Sequence, residues 1–264
     1  MTRTQKLEDT TIGWRFVNPA MLKAYGIDTM PETAENVARA HGISRESQDA
    51  FAMRSQSRAA ASATFRAGEI VPVPTVKSGS EVLVVHDEHL RETSQEALGR
   101  LRPVVGPDGT VTAGNASGID DGAAVLLLAS AQAIERYGLV PRARVLGMAS
   151  ADVEPRVMGI GPVPATRKLL ARLGWPIGDC DTIELNEAFA AQALALLRGL
   201  GLADDAEHVN PNDGAIALGH PLGMSGARLA LTAMRSLEVR SGKRALVTLC
   251  VGVGQGVSLV MERI

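Results

Sequence analysis

Aromatic side chains make up only 3% of this 264-residue sequence. That is too few for the stacking platforms on which single-stranded nucleic acids are bound. An excess of one charge is also missing. Lys and Arg number 27 against 29 Asp and Glu, a formal net charge of -2, so neither nucleic acid nor an anionic membrane surface is an expected partner. No apolar run reaches the roughly 18 residues of a membrane-spanning helix. The opening residues Met1-Thr-Arg-Thr-Gln-Lys-Leu-Glu-Asp9 contain no apolar core, which reads as no signal peptide and a cytoplasmic protein. Cysteine is nearly absent: Cys180 and Cys250 are the only two, too few for a disulfide framework and suited to a reduced compartment. Hydrophobic residues, by contrast, reach 45%, enough to bury one large core or two modest ones.

The first stretch, Thr11-Ile-Gly-Trp-Arg-Phe-Val-Asn-Pro19, mixes aromatics with turn residues. Thr29-Met-Pro-Glu32 has the form of a capping box with proline in the first turn, and predicts a short helix ending near His41-Gly42. Ser44 reads as the next N-cap, of a helix running to about Arg66 and closed by Gly68. The prolines of Ile70–Val76 allow only an edge strand there, with Glu81–Val85 pairing across Ser78-Gly-Ser80. Up to about residue 110 nothing forms an α/β core, so this part reads as an insertion or cap. From Asp121 the pattern changes. Gly122–Tyr137 predicts an Ala- and Leu-rich helix with Val125, Leu128 and Ile134 on apolar faces. Arg142–Ala149 predicts a buried strand, 162–173 a helix, Thr182–Leu185 a strand and Glu187–Gly201 a helix. A further helix follows Gly226, then strands Ala245–Cys250 and Val257–Glu262 around a glycine turn. Strands alternating with helices indicate a layered α/β fold.

Three places in this pattern can carry chemistry. In residues 210–226, His220 sits among Gly214, Gly219, Gly223 and Gly226 and ahead of Pro221, just before a helix. Glycines let another group approach the backbone, and proline fixes the loop after the histidine. An imidazole presented this way suits acid–base chemistry or anion binding; it can equally cap the turn. Asn186 follows a strand and either caps the next helix or holds a water or substrate oxygen at the strand end. Cys250 ends an apolar strand and runs into Gly252, Gly254 and Gly256, whose backbone N–H groups a ligand can approach. This glycine run is not a dinucleotide fingerprint, because a strand rather than a helix follows it. His86-Asp-Glu-His89 lacks a third ligand and reads as a solvated loop, so no metal is assigned. Cys180, between Asp179 and Asp181, lacks the positive surroundings of a reactive thiol. His41 and His208 read as surface residues.

Asn186-Glu-Ala-Phe189, Gly219-His-Pro221 and Cys250-x-Gly252, in this order, resemble the thiolases, the biosynthetic and degradative 3-ketoacyl-CoA thiolases. Thr110-Val-Thr-Ala-Gly-Asn-Ala-Ser-Gly118 and Val157-Met-Gly-Ile-Gly-Pro162 match further stretches of the family. Asp9-Thr-Thr-Ile-Gly-Trp-Arg-Phe-Val-Asn-Pro19 is similar to the 3-oxoadipyl-CoA thiolases of aromatic degradation. The resemblance implies an α/β, thiolase-like layered fold that is incomplete. Residues 1–119 correspond to the loop domain (CoA binding and oligomerisation), 120–141 to the residual end of the N-terminal half, and 142–264 to the C-terminal half. Most of the N-terminal half, with the nucleophilic cysteine, is then missing. Asp213 departs from the glycine usual in the family, which leaves the geometry of that turn open.

The resemblance also implies a chemistry. A cysteine thiolate attacks the 3-keto group, acetyl-CoA leaves, and CoA takes the acyl group. His220 raises the thiolate fraction, and Cys250 protonates the leaving carbanion and later deprotonates CoA. His220 with a water on Asn186 forms one oxyanion hole; the N–H of Gly252, with that of the nucleophile, forms the other. Ala113, Ser117, Met158, Ala188 and Phe189 line the coenzyme A arm. No cofactor is bound and coenzyme A is a substrate; the partners are CoA thioesters, a separate N-terminal half and copies of the chain in a homo-oligomer. A non-catalytic chain that binds CoA or a partner half is the competing expectation.

Overall fold

The computed structural model describes residues 14–264, so Asp9–Gly13 of the stretch that suggested 3-oxoadipyl-CoA lie outside the described residues. Helix α1 (Pro19–Tyr25) leads into α2 (Met30–His41), which starts on the predicted capping box of Thr29 and Glu32 and ends at Gly42 in the left-handed conformation. Ser44 caps α3 (Arg45–Ala61) by accepting from the backbone N–H of Ser47. The predicted single helix breaks at Ser62, and α4 (Ala63–Ala67) follows. Strands β1 (Val73–Lys77) and β2 (Ser80–Val84) form the expected hairpin, turning at Ser78 and Gly79, both at positive φ. Helix α5 (Gln95–Gly99) closes this region.

The remainder is organised on one four-stranded sheet. Helix α6 (Ala131–Tyr137) precedes β3 (Ala143–Asp152), then come α7 (Pro162–Leu173), β4 (Thr182–Leu185), α8 (Ala190–Gly199), α9 (Ala215–Leu218), α10 (Ser225–Val239), β5 (Arg244–Val251) and β6 (Gln255–Arg263). The strand order is β3-β6-β5-β4, with β4 parallel to β5 and the other pairs antiparallel. Side chains alternate across the sheet. Ile183, Leu246 and Val260 share a rung and pack with Leu169 of α7 and Leu194 and Leu197 of α8. On the opposite face Ala245, Val247 and Met261 pack on Leu229, Ala233 and Leu237 of α10.

Several expectations change here. The helix predicted over 122–137 forms only at Ala131–Tyr137. Residues 118–130 have no regular structure, and Val125, Leu127 and Leu128 are 79–87% exposed, while Ile134 is half-buried. Ala and Leu favour a helix intrinsically, but a helix in a protein is held mainly by packing an apolar face, and these side chains pack on nothing. Strand β3 is an edge, not buried: Val145 and Met148 are 49% and 58% exposed. The first part packs on the sheet: Ala38, Ile43, Phe51, Ala52 and Leu98 join the same core as the sheet residues.

Candidate active site

The strand-end segment 186–189 is the centre of the arrangement. Expected to start a helix, it instead lies alongside the 115–117 segment. Ser117 donates its backbone N–H to Ala188 O, Ala190 donates to Asn115 O, and Ala116 bridges Phe189. Helix α8 therefore starts only at Ala190, with no side-chain cap. Asn186 does not cap it; its carboxamide Nδ2 lies 3.2 Å from Nε2 of His220.

Alternation along β4 explains this reach. Thr182, Glu184 and Asn186 point to the face that α10 covers, and Thr182 meets Ser236 of α10 at 3.3 Å. His220 is presented by the loop before α10. Gly219 takes φ 93°, a left-handed conformation favouring glycine, and a Cβ there would fall onto the Asp120 carboxylate. That close approach lets the backbone N–H of His220 donate both to Asp120 Oδ1 (2.8 Å) and to Gly118 O (2.9 Å).

The ring's other nitrogen has Ser225 as its partner. Nδ1 lies 2.6 Å from Ser225 Oγ, and Ser225 donates its hydroxyl proton to Pro221 O at 3.0 Å. The hydroxyl has one proton, so it accepts from Nδ1–H. Neutral His220 thus keeps its proton on Nδ1 and its lone pair on Nε2, toward Asn186. Burial holds the His220 pKa below its usual 6.5; Arg228 pushes the same way and Asp120 opposes. The imidazole is neutral at pH 7 and able to take a proton.

Cys250 approaches from the next strand. Asn186 N donates to Thr248 O at 3.0 Å, and two residues on, Cys250 packs with Met158, Ala188, Met30 and Phe189. Burial raises its thiol to about 11, so it is a thiol at neutral pH. Gly252 opens the turn after Cys250, and a Cβ there would meet nothing. Gly256 and Gly161 lie backbone to backbone, where a Cβ on either would fall onto the other. This contact clamps the 157–162 turn, with Met158, against the strand that follows the cysteine.

Of the residues picked from sequence, Asn186 thus joins His220, and Cys250 joins Met158, Ala188 and Phe189. Ser117 attaches to Ala188 through backbone and hydroxyl. Ala113 is exposed and contacts none of these, its carbonyl accepting from Arg91. Asp213 is buried and its Oδ1 meets Arg228 Nη1 at 3.2 Å. His89 is not simply solvated; its ring lies against Gly118 with Nε2 buried. Cys180 is buried, and burial with Asp179 and Asp181 raises its thiol to about 11. Sequence reading missed Ser225 and Met30. Ser225 lies five residues beyond His220 at the helix start, the one available signal for it; Met30 follows a capping residue and gives none.

Comparisons with known proteins identify the family. The family model for the thiolase N-terminal domain matches residues 2–132 and that for the thiolase C-terminal domain residues 139–263. The first of these does not support the expectation that most of the N-terminal half is missing. A β-ketoadipyl-CoA thiolase of Pseudomonas putida is 65% identical over all of this chain and 66% of its own length. The 3-oxoadipyl-CoA/3-oxo-5,6-dehydrosuberyl-CoA thiolase of Escherichia coli K12 is 60% identical over all of this chain and 67% of its own length. The chain therefore spans about two thirds of the length of these curated relatives. The crystal structure of the Bacillus anthracis acetyl-CoA acetyltransferase superposes with a TM-score of 0.86 at 43% identity, over 90% of this chain and 61% of that one. Human mitochondrial 3-ketoacyl-CoA thiolase gives 0.82 at 40% identity, over 89% and 60%.

Proposed function

The chain belongs to the thiolase family, and on that premise we propose that it supplies the acid–base side of an acyl-CoA:acetyl-CoA C-acyltransferase site. The reaction cleaves a 3-oxoacyl-CoA with CoA into acetyl-CoA and a shortened acyl-CoA. The names of the relatives at 60–65% identity support 3-oxoadipyl-CoA as the substrate. In this reading Cys250 matches the family's acid/base cysteine, Cys180 matches no catalytic group, and the nucleophilic cysteine is outside these 264 residues; the burial of both thiols, raised to about 11, supports it. The division into a loop domain (1–119), the end of an N-terminal half (120–141) and a C-terminal half (142–264) belongs to the same reading, as does a cytoplasmic location. Among the described residues no helix is long and apolar enough to cross a membrane.

One observation carries the proposal: the 186–189 segment has His220 at one end and Cys250 packed on the other. Nε2 of neutral His220 accepts a proton from the attacking thiol and so raises its thiolate fraction. Once charged, the same nitrogen donates toward a developing thioester oxyanion, with a water held by Asn186. Cys250, protonated at neutral pH, gives its proton to the acetyl-CoA carbanion as the carbon–carbon bond breaks. In the second half-reaction it takes the proton of incoming CoA as the acyl group moves to sulfur. The N–H of Gly252 faces the other oxyanion, and Ser117, Met158, Ala188, Phe189 and Ala113 contact the pantetheine arm. No metal or cofactor takes part in the steps proposed.

The test is cleavage of 3-oxoadipyl-CoA by the purified chain with CoA present. No turnover is expected, because no acyl-enzyme can form; cleavage above a His220→Ala control overturns the placement of the nucleophile outside this chain. A second reading, a chain that binds a partner without turnover, draws on the exposed Val125, Leu127 and Leu128.

A further inference from the structure

Behind His220 lies a buried group of charges that the steps above do not use. Glu184 points from β4 toward α10 and both its carboxylate oxygens are buried without a partner. Glu69, after α4, receives the hydroxyl of Thr232 of α10 at 3.1 Å, and its other oxygen is buried and unpaired. Asp213, in the loop before α9, meets Arg228 of α10 at 3.2 Å. The second oxygen of Asp213 and the second terminal nitrogen of Arg228 are buried and unpaired. Arg228 is thus the cation shared by three carboxyls. It stands three residues after Ser225, on the same side of the first turn of α10, and Ser225 is the residue that holds the His220 ring.

We propose that Asp213 and Arg228 are a positioning pair for His220: their ion pair ties the 210–220 loop to the first turn of α10 and balances the cation beside the imidazole. The inference takes its catalytic meaning from the reading of His220 given above, but its geometry stands independently of the reaction. The charges facing each member come from every element around them. His220 faces Arg228 and, from the 118–120 segment, Asp120. Asp213 faces Arg228, Arg66, Glu187 and Asp87. Glu184 faces Asp213, Arg228, Glu69 and Glu187, and Glu69 faces Asp213, Arg228 and Arg235. Of these carboxylates, Glu187 is already bound by Ser55, Asn210 and the N–H of Ile216. Burial keeps Glu69, Glu184 and Asp213 above their ordinary carboxylate range. Arg228 opposes that rise at all three, and Asp213 is the one it touches.

The sign follows. Without the Asp213 carboxylate, Arg228 loses the one carboxyl it touches and disfavours the imidazolium more strongly. Without Arg228, the imidazolium is easier to form. The experiment is a histidine NMR titration of the purified 264-residue chain, the His220 signal being assigned by its loss in His220→Gln. Asp213→Asn is expected to lower the His220 midpoint and Arg228→Gln to raise it, each on the order of one pH unit. Arg228→Lys, which keeps the charge, holds the wild-type midpoint. The double variant D213N/R228Q loses both charges and is expected to return close to the wild-type midpoint; if one single variant does not fold, the shift of the other and its reversal in the double variant give the readout. A loss of stability from a purely structural pair does not produce shifts of opposite sign. Unchanged midpoints, shifts of one sign, or an Arg228→Lys midpoint equal to that of Arg228→Gln overturn the proposal. Because the titration reads His220 without substrate, failure of the acyltransferase reading leaves this result unaffected.

Discussion

The carboxamide of Asn186 donates to Nε2 of His220 across 3.2 Å, while Nδ1 of the same ring meets Ser225 Oγ at 2.6 Å. The imidazole is therefore held at both nitrogens, with the lone pair on the side of the strand-end segment. To take a proton, Nε2 gives up the bond from Asn186, while Nδ1 keeps Ser225 and the ring stays in place.

Ser225→Ala removes the acceptor for Nδ1–H. The ring nitrogen shifts of His220 should then show a mixture of tautomers, where wild type shows Nδ1–H alone. Stability should fall by about 1 kcal/mol, the usual net worth of one hydrogen bond. Ser225→Thr should restore the single tautomer. A single Nδ1–H tautomer in Ser225→Ala would show that Ser225 does not set it.

Both thiols are raised to about 11 by burial. At pH 8 the native chain should react with a thiol reagent far more slowly than a free cysteine, whose pKa is about 8.5. Two equivalents should react once the chain is unfolded. One fast equivalent in the native chain, lost in Cys250→Ser, would contradict the buried, protonated state of Cys250.

Glu69 is raised to about 7, first by burial and then by Asp213. Below an unfolded value near 4.5 the group is protonated in both states, and its contribution to stability is complete. As pH rises toward 7 the unfolded chain gives up the proton while the folded chain keeps it, so stability is lost across that window. Melting temperatures of wild type should decline between pH 5 and 8, and those of Glu69→Gln should decline less. Parallel curves would show that Glu69 ionises normally in the fold.

Much of this was legible from local signals. The Thr29–Glu32 capping box, the Ser44 cap and the Ser78-Gly79 turn are decided by residues within a few positions of one another, and they formed where their chemistry placed them. Regions decided by distant partners were not legible. Residues 186–189 look like a helix start until the 115–117 segment lies alongside and takes their backbone bonds. Gly122–Ser130 has helical composition but nothing to pack on. His220 and Asn186 were each singled out with a bland alternative beside them, and Cys250 for the glycines that follow it. The fold brings Asn186 to His220 and Cys250 to Ala188, a pairing invisible in the spacing of 34 or more residues.

Val125, Leu127 and Leu128 are 79–87% exposed, and each such side chain gains roughly 1.5–3 kcal/mol when buried. The isolated chain should bind a hydrophobic dye or self-associate through this stretch. Val125→Ser with Leu128→Ser should reduce both. A compact monomer with a sharp melt and no dye binding would show that the stretch needs no cover.

The most direct test of the account is a complementation assay with 3-oxoadipyl-CoA and CoA, adding a separately produced thiolase N-terminal half that carries the nucleophilic cysteine. The account predicts no cleavage by this chain alone and cleavage by the mixture. It also predicts losses on the order of 10²–10⁴ in rate for His220→Ala and for Cys250→Ala, with a smaller loss for Asn186→Ala. Full activity of the Cys250→Ala mixture, or turnover by this chain without the added half, would contradict it.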